Sequence, residues 1–260
     1  MDEDELKLGL IDVINMASVE LVMVVPETKE PEGYGSGCIV RYRDRTFLLS
    51  AAHVTDYEGL ATCIVTHQAP EDGKSKLYSV GAMRYFDEYK VSRDIILEEI
   101  KSLDELLTNF NETIDLTFCE LTESPDLIQP ERDFEFNNVE VGKKIMINLD
   151  LAGDPDKEKL HGLCGNIRHE KVGKQVNSKV ALKVDLSYHQ TKGRFHKFLA
   201  PEIIHDPDDY RGCSGAPIID QDGKLVSIAA SVYTPSKIVI GMTIDECKRL
   251  FDIAIDTGMV

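Results

Sequence analysis

Three residues carry the chemistry this sequence offers: Ser214 in GCSGAP, His53 at the end of FLLSAAHV, and Asp115 in TIDLTFCEL. A serine hydroxyl is a poor nucleophile at neutral pH until a base takes its proton. A histidine can be that base, and a carboxylate can hold its tautomer and stabilise its cation. Gly212 and Gly215 flank Ser214 and permit a turn that a Cβ would crowd. Such a turn can aim the backbone N–H groups of Gly212 and Ser214 at one point, where charge develops on a carbonyl oxygen. Taken singly, each residue has an ordinary role: a boundary histidine, a turn-capping aspartate, a loop serine. Taken together, in the order His, Asp, Ser, they point to acyl transfer through Ser214.

The elements that would position them are short strands. FLLS and LTFCEL are apolar runs ending or beginning at His53 and Asp115, and APIID follows the Ser214 turn. RYRDRTFLLS reads as a tight hairpin leading to His53, and Ala51 and Ala52 let the chain turn closely beneath it. Further strands are expected at 19–25, 38–42, 61–66 and 77–85. A polar, proline-bearing linker at 125–138 divides the chain into 1–128, carrying His53 and Asp115, and 129–260, carrying Ser214. The second half repeats the rhythm at 144–149, 163–171, 180–186, 197–204, 217–219, 224–232 and 238–242. Two even halves of short strands favour two packed β-barrels over βαβ units.

Helices are expected in three places. Leu6, Leu10, Val13, Ile14 and Ala17 share one face of a helix over 3–17. Ile96, Ile100, Leu103, Leu107 and Phe110 form a helical stripe inserted at 92–110, with Ser92 as its N-cap. Thr243 and Glu246 form a capping box before a terminal helix with Ile244, Cys247, Leu250 and Phe251 on its apolar face.

The motifs YGSGCIV with Gly35, Ser36 and Gly37, SAAHV around His53, IDLTF around Asp115 and GCSGAP around Ser214 resemble those of the chymotrypsin-like (trypsin-like) serine peptidases. The likeness is nearest the disulfide-free bacterial HtrA-type protease domain and runs from about Val19 to Ile244. It implies an all-β fold of two six-stranded antiparallel barrels, a catalytic triad of His53, Asp115 and Ser214, an oxyanion hole at Gly212 and Ser214, and peptide or protein substrates. Trypsin-type members carry an aspartate six residues before the serine and cleave after Lys or Arg. Asp208 holds that offset here, with Asp206 and Asp209 beside it, so a basic P1 residue is the expectation. Ala230 and Val232 are expected on the strand edge that pairs with substrate backbone. Cys213 departs from the pattern: many members have an aspartate there that pairs with a newly cut N-terminus. Cys213 reads as a small buried residue, which implies a site that needs no such cleavage or one ordered by substrate or partner. HtrA-type members usually carry a following PDZ domain, and PDZ-driven assembly is not expected here.

Composition narrows the alternatives. The 260 residues carry a net charge of −17, from 29 basic and 46 acidic side chains, which disfavours nucleic acid and anionic membrane as partners. No signal core or membrane-length apolar run is present. Six cysteines without a CxxC pair point to a reduced, cytoplasmic protein. HGLC at 161–164, near His169, has a loose zinc-like spacing but lacks a full ligand set, so no metal is expected. GYGSG lacks the lysine and helix of a phosphate loop, and no cofactor is expected. Two other readings share these residues: a catalytically silent or partner-gated domain that binds protein, and a serine esterase.

Overall fold

A computed structural model describes residues 9–68, 77–86, 114–134, 137–172 and 175–260. The helical stripe expected at 92–110 lies outside them. Helix α1, Leu10–Ala17, precedes β1, Ser18–Val24. The next strands are β2, Pro31–Tyr42, β3, Arg45–Ser50, β4, Ala61–Val65, β5, Leu77–Ser79, and β6, Thr117–Glu120, with the short helix α2, Ala52–Thr55, after β3. They form one antiparallel path, β5-β4-β1-β2-β3-β6. The β2–β3 hairpin turns on Arg43 and Asp44, at φ 47° and 60°. Two positive φ values match a two-residue turn whose twist suits the strands it joins.

This first sheet is curled and nearly closed, rather than the full barrel expected. The strand anticipated at 77–85 ends at Ser79. Beyond it the chain reaches β6 through a single bridge, Arg84 to Phe118. Three residues of β5 are too few to zip both neighbours with a ladder, so among the described residues the seam rests on one backbone bridge, Arg84 N–H to Phe118 carbonyl at 2.7 Å, with Thr117 Oγ1 donating to the Arg84 carbonyl at 2.9 Å.

The linker carries small pairs: β7, Ile128–Gln129, with β10, Gly142–Lys143, and β8, Arg132–Phe134, with β9, Asn137–Val139. Next, β11, Ile147–Asn148, runs parallel to β2 at Val40 and Arg41. The expected 144–149 strand therefore joins the first sheet. The reason is a free edge: β1 covers β2 only as far as Cys38, while β3 occupies the other side of Arg41.

The second half is a closed six-stranded barrel. Its strands are β12, Leu160–Val172, β13, Gln175–Lys192, β14, Phe195–Ile204, β15, Pro217–Asp220, β16, Leu225–Val232, and β17, Ser236–Thr243, in the order β12-β13-β14-β17-β16-β15. Pairing of His161 with Asp220 closes the ring. Helix α3, Ile244–Asp256, follows, capped by Thr243 Oγ1 accepting from Glu246 N–H at 3.3 Å. Only this half of the capping box forms, because the Glu246 carboxylate turns to Arg249, at 2.6 Å and 2.9 Å, and to Arg194.

Strand alternation sorts the apolar side chains into separate clusters. Leu48 faces the interior of the first sheet with Leu21, Met23 and Ile64. Its neighbours Phe47 and Leu49 face outward into a cluster that also holds Ile228, Met242, Leu250 and Phe251 of the second half. The second barrel is filled by Leu163, Phe198, Ile218, Val226 and Val239. Among the described residues no helix is long and apolar enough to cross a membrane. All six cysteines are buried and unpaired.

Candidate active site

Strand β3 pairs with β6 so that Ser50 faces Thr117. Both chains continue past that pair toward the same end of the sheet, which carries α2 on one side and Asp115 on the other. Ile114 and Leu116, 5% and 0% exposed, anchor the backbone on either side of Asp115. The carboxylate meets His53 twice. Oδ2 lies 2.7 Å from His53 Nδ1, and Oδ1 accepts the His53 backbone N–H at 3.0 Å. The imidazole is half exposed. Burial pulls its pKa down most strongly, but the Asp115 hydrogen bond and charge together outweigh it and leave the group above 6.5.

Gly35 makes room for this arrangement. A Cβ there would sit 2.3 Å from Cγ1 of Val54, inside α2. The Ser214 turn docks against the same strand. Ser36 N–H donates to the Ser214 carbonyl at 2.9 Å, and Gly215 N–H donates to the Ala229 carbonyl at 2.7 Å. Gly215 has φ +84°, and a Cβ on it would lie 2.0 Å from the Ser36 carbonyl oxygen and 3.1 Å from Ala51 N. Glycine thus lets the second barrel touch the chain that leads into His53.

His53 and Ser214 line one cleft of about 220 Å³. The Ser214 hydroxyl donates to the Ala230 carbonyl at 3.1 Å. Gly212, at φ +109°, lies against β12, where a Cβ would be 2.0 Å from the Asn166 carbonyl oxygen. The backbone N–H groups of Gly212 and Ser214 donate to no acceptor among the described residues. Cys213 is buried, and burial pushes its thiol up to about 12, so it stays protonated.

The rest of the lining is mostly apolar, Leu163, Pro207, Ala229, Val232 and Val239 with the Tyr210 ring, and adds Arg211 and Ser231. β16 pairs with β15 as far as Ile228 and keeps bonding to the Ser214 turn through Ala229; Ala230 and Val232 lie beyond, the Ala230 carbonyl accepting from Ser214 Oγ. Asp208 is not part of the lining. Its carboxylate lies 3.2 Å from Arg211, while Asp206 and Asp209 lie 3.0 Å and 2.7 Å from Arg168. Leu163 was not singled out from the sequence, whereas Tyr210 and Arg211 lie with Asp208 in HDPDDYR, the segment whose side chains the sequence offers as pocket lining. Leu163 sits inside HGLC, where the alternating strand also buries His161 against the Leu186 carbonyl and Phe198, and Cys164 beside Asn15. His169 stacks on Tyr34 at 4.4 Å. These side chains serve as wall and core on β12, and no group of three metal-ligating side chains gathers among the described residues.

No family model and no curated protein matches the chain. Among solved structures it is similar to a serine endoprotease from Yersinia pestis, at TM-score 0.52 and 16% identity over 98% of this chain and 69% of that one. A human astrovirus serine protease aligns at TM-score 0.41 and 14% identity, over 90% of this chain and 92% of that one. With its closed barrel and its curled partner sheet, the chain shares the chymotrypsin-like double-barrel fold of the Yersinia pestis serine endoprotease.

Proposed function

We propose that the chain is a serine endopeptidase working through an acyl-enzyme. The observation that carries this reading is the Asp115 carboxylate gripping His53 at both ring and backbone, with His53 and Ser214 on one cleft. The Asp115 contact on Nδ1 fixes the tautomer that leaves Nε2 free to accept a proton. Ser214 Oγ attacks the substrate carbonyl carbon while Nε2 takes its proton. The tetrahedral oxygen is held by the N–H groups of Gly212 and Ser214. His53 then gives the proton to the leaving amine, and water repeats the sequence to release the acid.

Substrate backbone would add along β16 at Ala230 and Val232, taking the Ala230 carbonyl from Ser214 Oγ. The pocket beside it carries no carboxylate, and Asp208 is engaged by Arg211, so the geometry favours an uncharged, apolar P1 side chain over a basic one. In a fluorogenic peptide panel, Ala, Val or Leu at P1 should be turned over at least tenfold faster than Lys or Arg. A preference for Lys or Arg would restore the Asp208 reading.

A gated version of the same enzyme is favoured by one observation: the Ser214 hydroxyl donates to Ala230 and must leave it for His53 before attack. A fluorophosphonate probe tests the core of the proposal. Native protein should label, and Ser214→Ala should not. Folded native protein that stays unlabelled, with or without peptide, would favour a binding module on the same fold.

A further inference from the structure

Two hydrogen bonds fix the peptide unit between Gly212 and Cys213. Its carbonyl accepts from Ser36 Oγ at 2.6 Å, and its N–H donates to the Tyr210 carbonyl at 2.8 Å. A peptide is a rigid plane, so holding both its polar ends fixes its rotation. The two N–H groups proposed to receive the oxyanion lie on the peptides immediately before and after it. Ser36 also holds the chain on the far side of Ser214, because its own N–H donates to the Ser214 carbonyl, on the peptide between Ser214 and Gly215, at 2.9 Å.

Ser36 is in turn fixed from the first sheet. Its carbonyl accepts from Ser50 Oγ at 2.7 Å, and Ser50 immediately precedes the turn into His53. The hydroxyl has little room to point elsewhere. It is 1% exposed, and a Cβ on Gly165 would meet Ser36 Oγ at 3.0 Å and Cys213 Sγ at 2.9 Å. Cys213, an uncharged buried side chain in the middle of the turn, supplies no ionic anchor.

We infer that Ser36 is a positioning residue for the oxyanion-stabilising turn: its hydroxyl and N–H, contributed by the first half, set the orientation of Gly212 and Ser214 in the second. The inference rests on the endopeptidase reading and adds to it a residue that touches no reacting atom. The oxyanion-binding geometry then exists only when the two halves are docked through β2. It also gives the GSG motif distinct roles: Gly35 admits α2, Ser36 holds the turn, and Gly37, whose Cβ would lie 2.9 Å from the Leu49 carbonyl, admits β3.

The test is the inactivation kinetics of a fluorophosphonate, whose phosphoryl oxygen occupies the oxyanion position. Rates are normalised to the sites that react at completion, so an unfolded fraction does not count. Removing one oxyanion donor outright costs roughly 10²–10³ in rate, so loosening two should cost at least about tenfold. Ser36→Ala should lower the first-order inactivation constant by that amount while the half-saturating probe concentration stays within about twofold. Ser36→Thr and Ser36→Val, equal in shape and different only in the hydroxyl, should differ in the same direction by a similar factor, even if crowding slows both. The acid limb of the pH profile should not move, because the His53–Asp115 pair is untouched. Equal constants per reactive site in the Thr and Val variants, with the native chain labelling normally, would overturn the role of Ser36 alone. A native chain that never labels would overturn the endopeptidase reading and this inference with it.

Discussion

Asp115 acts on His53 in two ways that have opposite counterparts in burial. Desolvation disfavours the imidazolium, whereas the 2.7 Å hydrogen bond and the carboxylate charge favour it, and the sum lies above 6.5. A general base must be neutral to work, so kcat/KM should rise with pH along a limb whose midpoint lies above 6.5. Replacing Asp115 with Asn removes both raising causes and leaves burial. Residual activity should then be lower by about 10⁴-fold, with its midpoint displaced to lower pH. A pH–rate series on both proteins checks this, and an acid limb that stays in place in Asp115→Asn would remove Asp115 from contact with the base. The same shift has a stability consequence of opposite slope. The folded state holds the His53 proton more tightly than the unfolded chain, so this contribution is full below pH 6.5 and fades as pH rises through the folded-state value.

At the level of elements, the site depends on three backbones approaching where side chains would ordinarily intervene. Strand β2, the turn into α2 and the Ser214 turn meet at Gly35 and Gly215. Gly215 has the stronger requirement, since its φ of +84° and its 2.0 Å clearance to the Ser36 carbonyl oxygen act together. The left-handed conformation costs an L-residue about 1–2 kcal/mol, and overpacking costs about 1–3 kcal/mol. Gly215→Ala should therefore lose about 2–5 kcal/mol in urea unfolding, and the folded remainder should label slowly because the turn has backed away from His53. Native-like stability in that variant would mean the halves pack less closely than described. β11 shows the same dependence on available edges: its two residues, Ile147 and Asn148, pair where β1 has left β2 uncovered.

For the whole molecule, the two halves are joined by more than the cleft. Helix α3 follows the last strand of the second barrel yet lies on the first sheet, with Phe251 at 4.6 Å from Phe47 and 4.3 Å from Phe118 between ring centroids. Tyr42 Oη donates to Asp252 at 2.8 Å on the same face. Phe251 is fully buried, and truncating such a ring to Ala costs about 3–5 kcal/mol. Because the cluster around it draws on both halves, Phe251→Ala should lower the urea midpoint while the halves still unfold together. Activity per folded molecule should stay near native, since Phe251 is not among the residues that line the cleft. Two separated transitions in the native chain would contradict a shared core.

The sequence by itself determined what is local. Alternation along FLLS and LTFCEL marked the strands on either side of the site, although His53 itself lies in α2 and β6 begins only at Thr117; the capping threonine began α3, and the glycines around Ser214 marked its turn. These follow from the period of side chains along a strand or helix, which a single segment encodes. Tertiary structure alone decided what depends on partners far along the chain. It engaged Asp208 with Arg211 outside the cleft, made Leu163 a pocket wall, carried β11 back to the first sheet, left that sheet closed by a single bridge, and brought Ser36 Oγ to the Gly212 carbonyl across 176 residues. The physical reason is that an acceptor, a strand edge or a cavity wall is created by packing. Spacing in the chain fixes which residues are candidates for it and leaves open which one arrives.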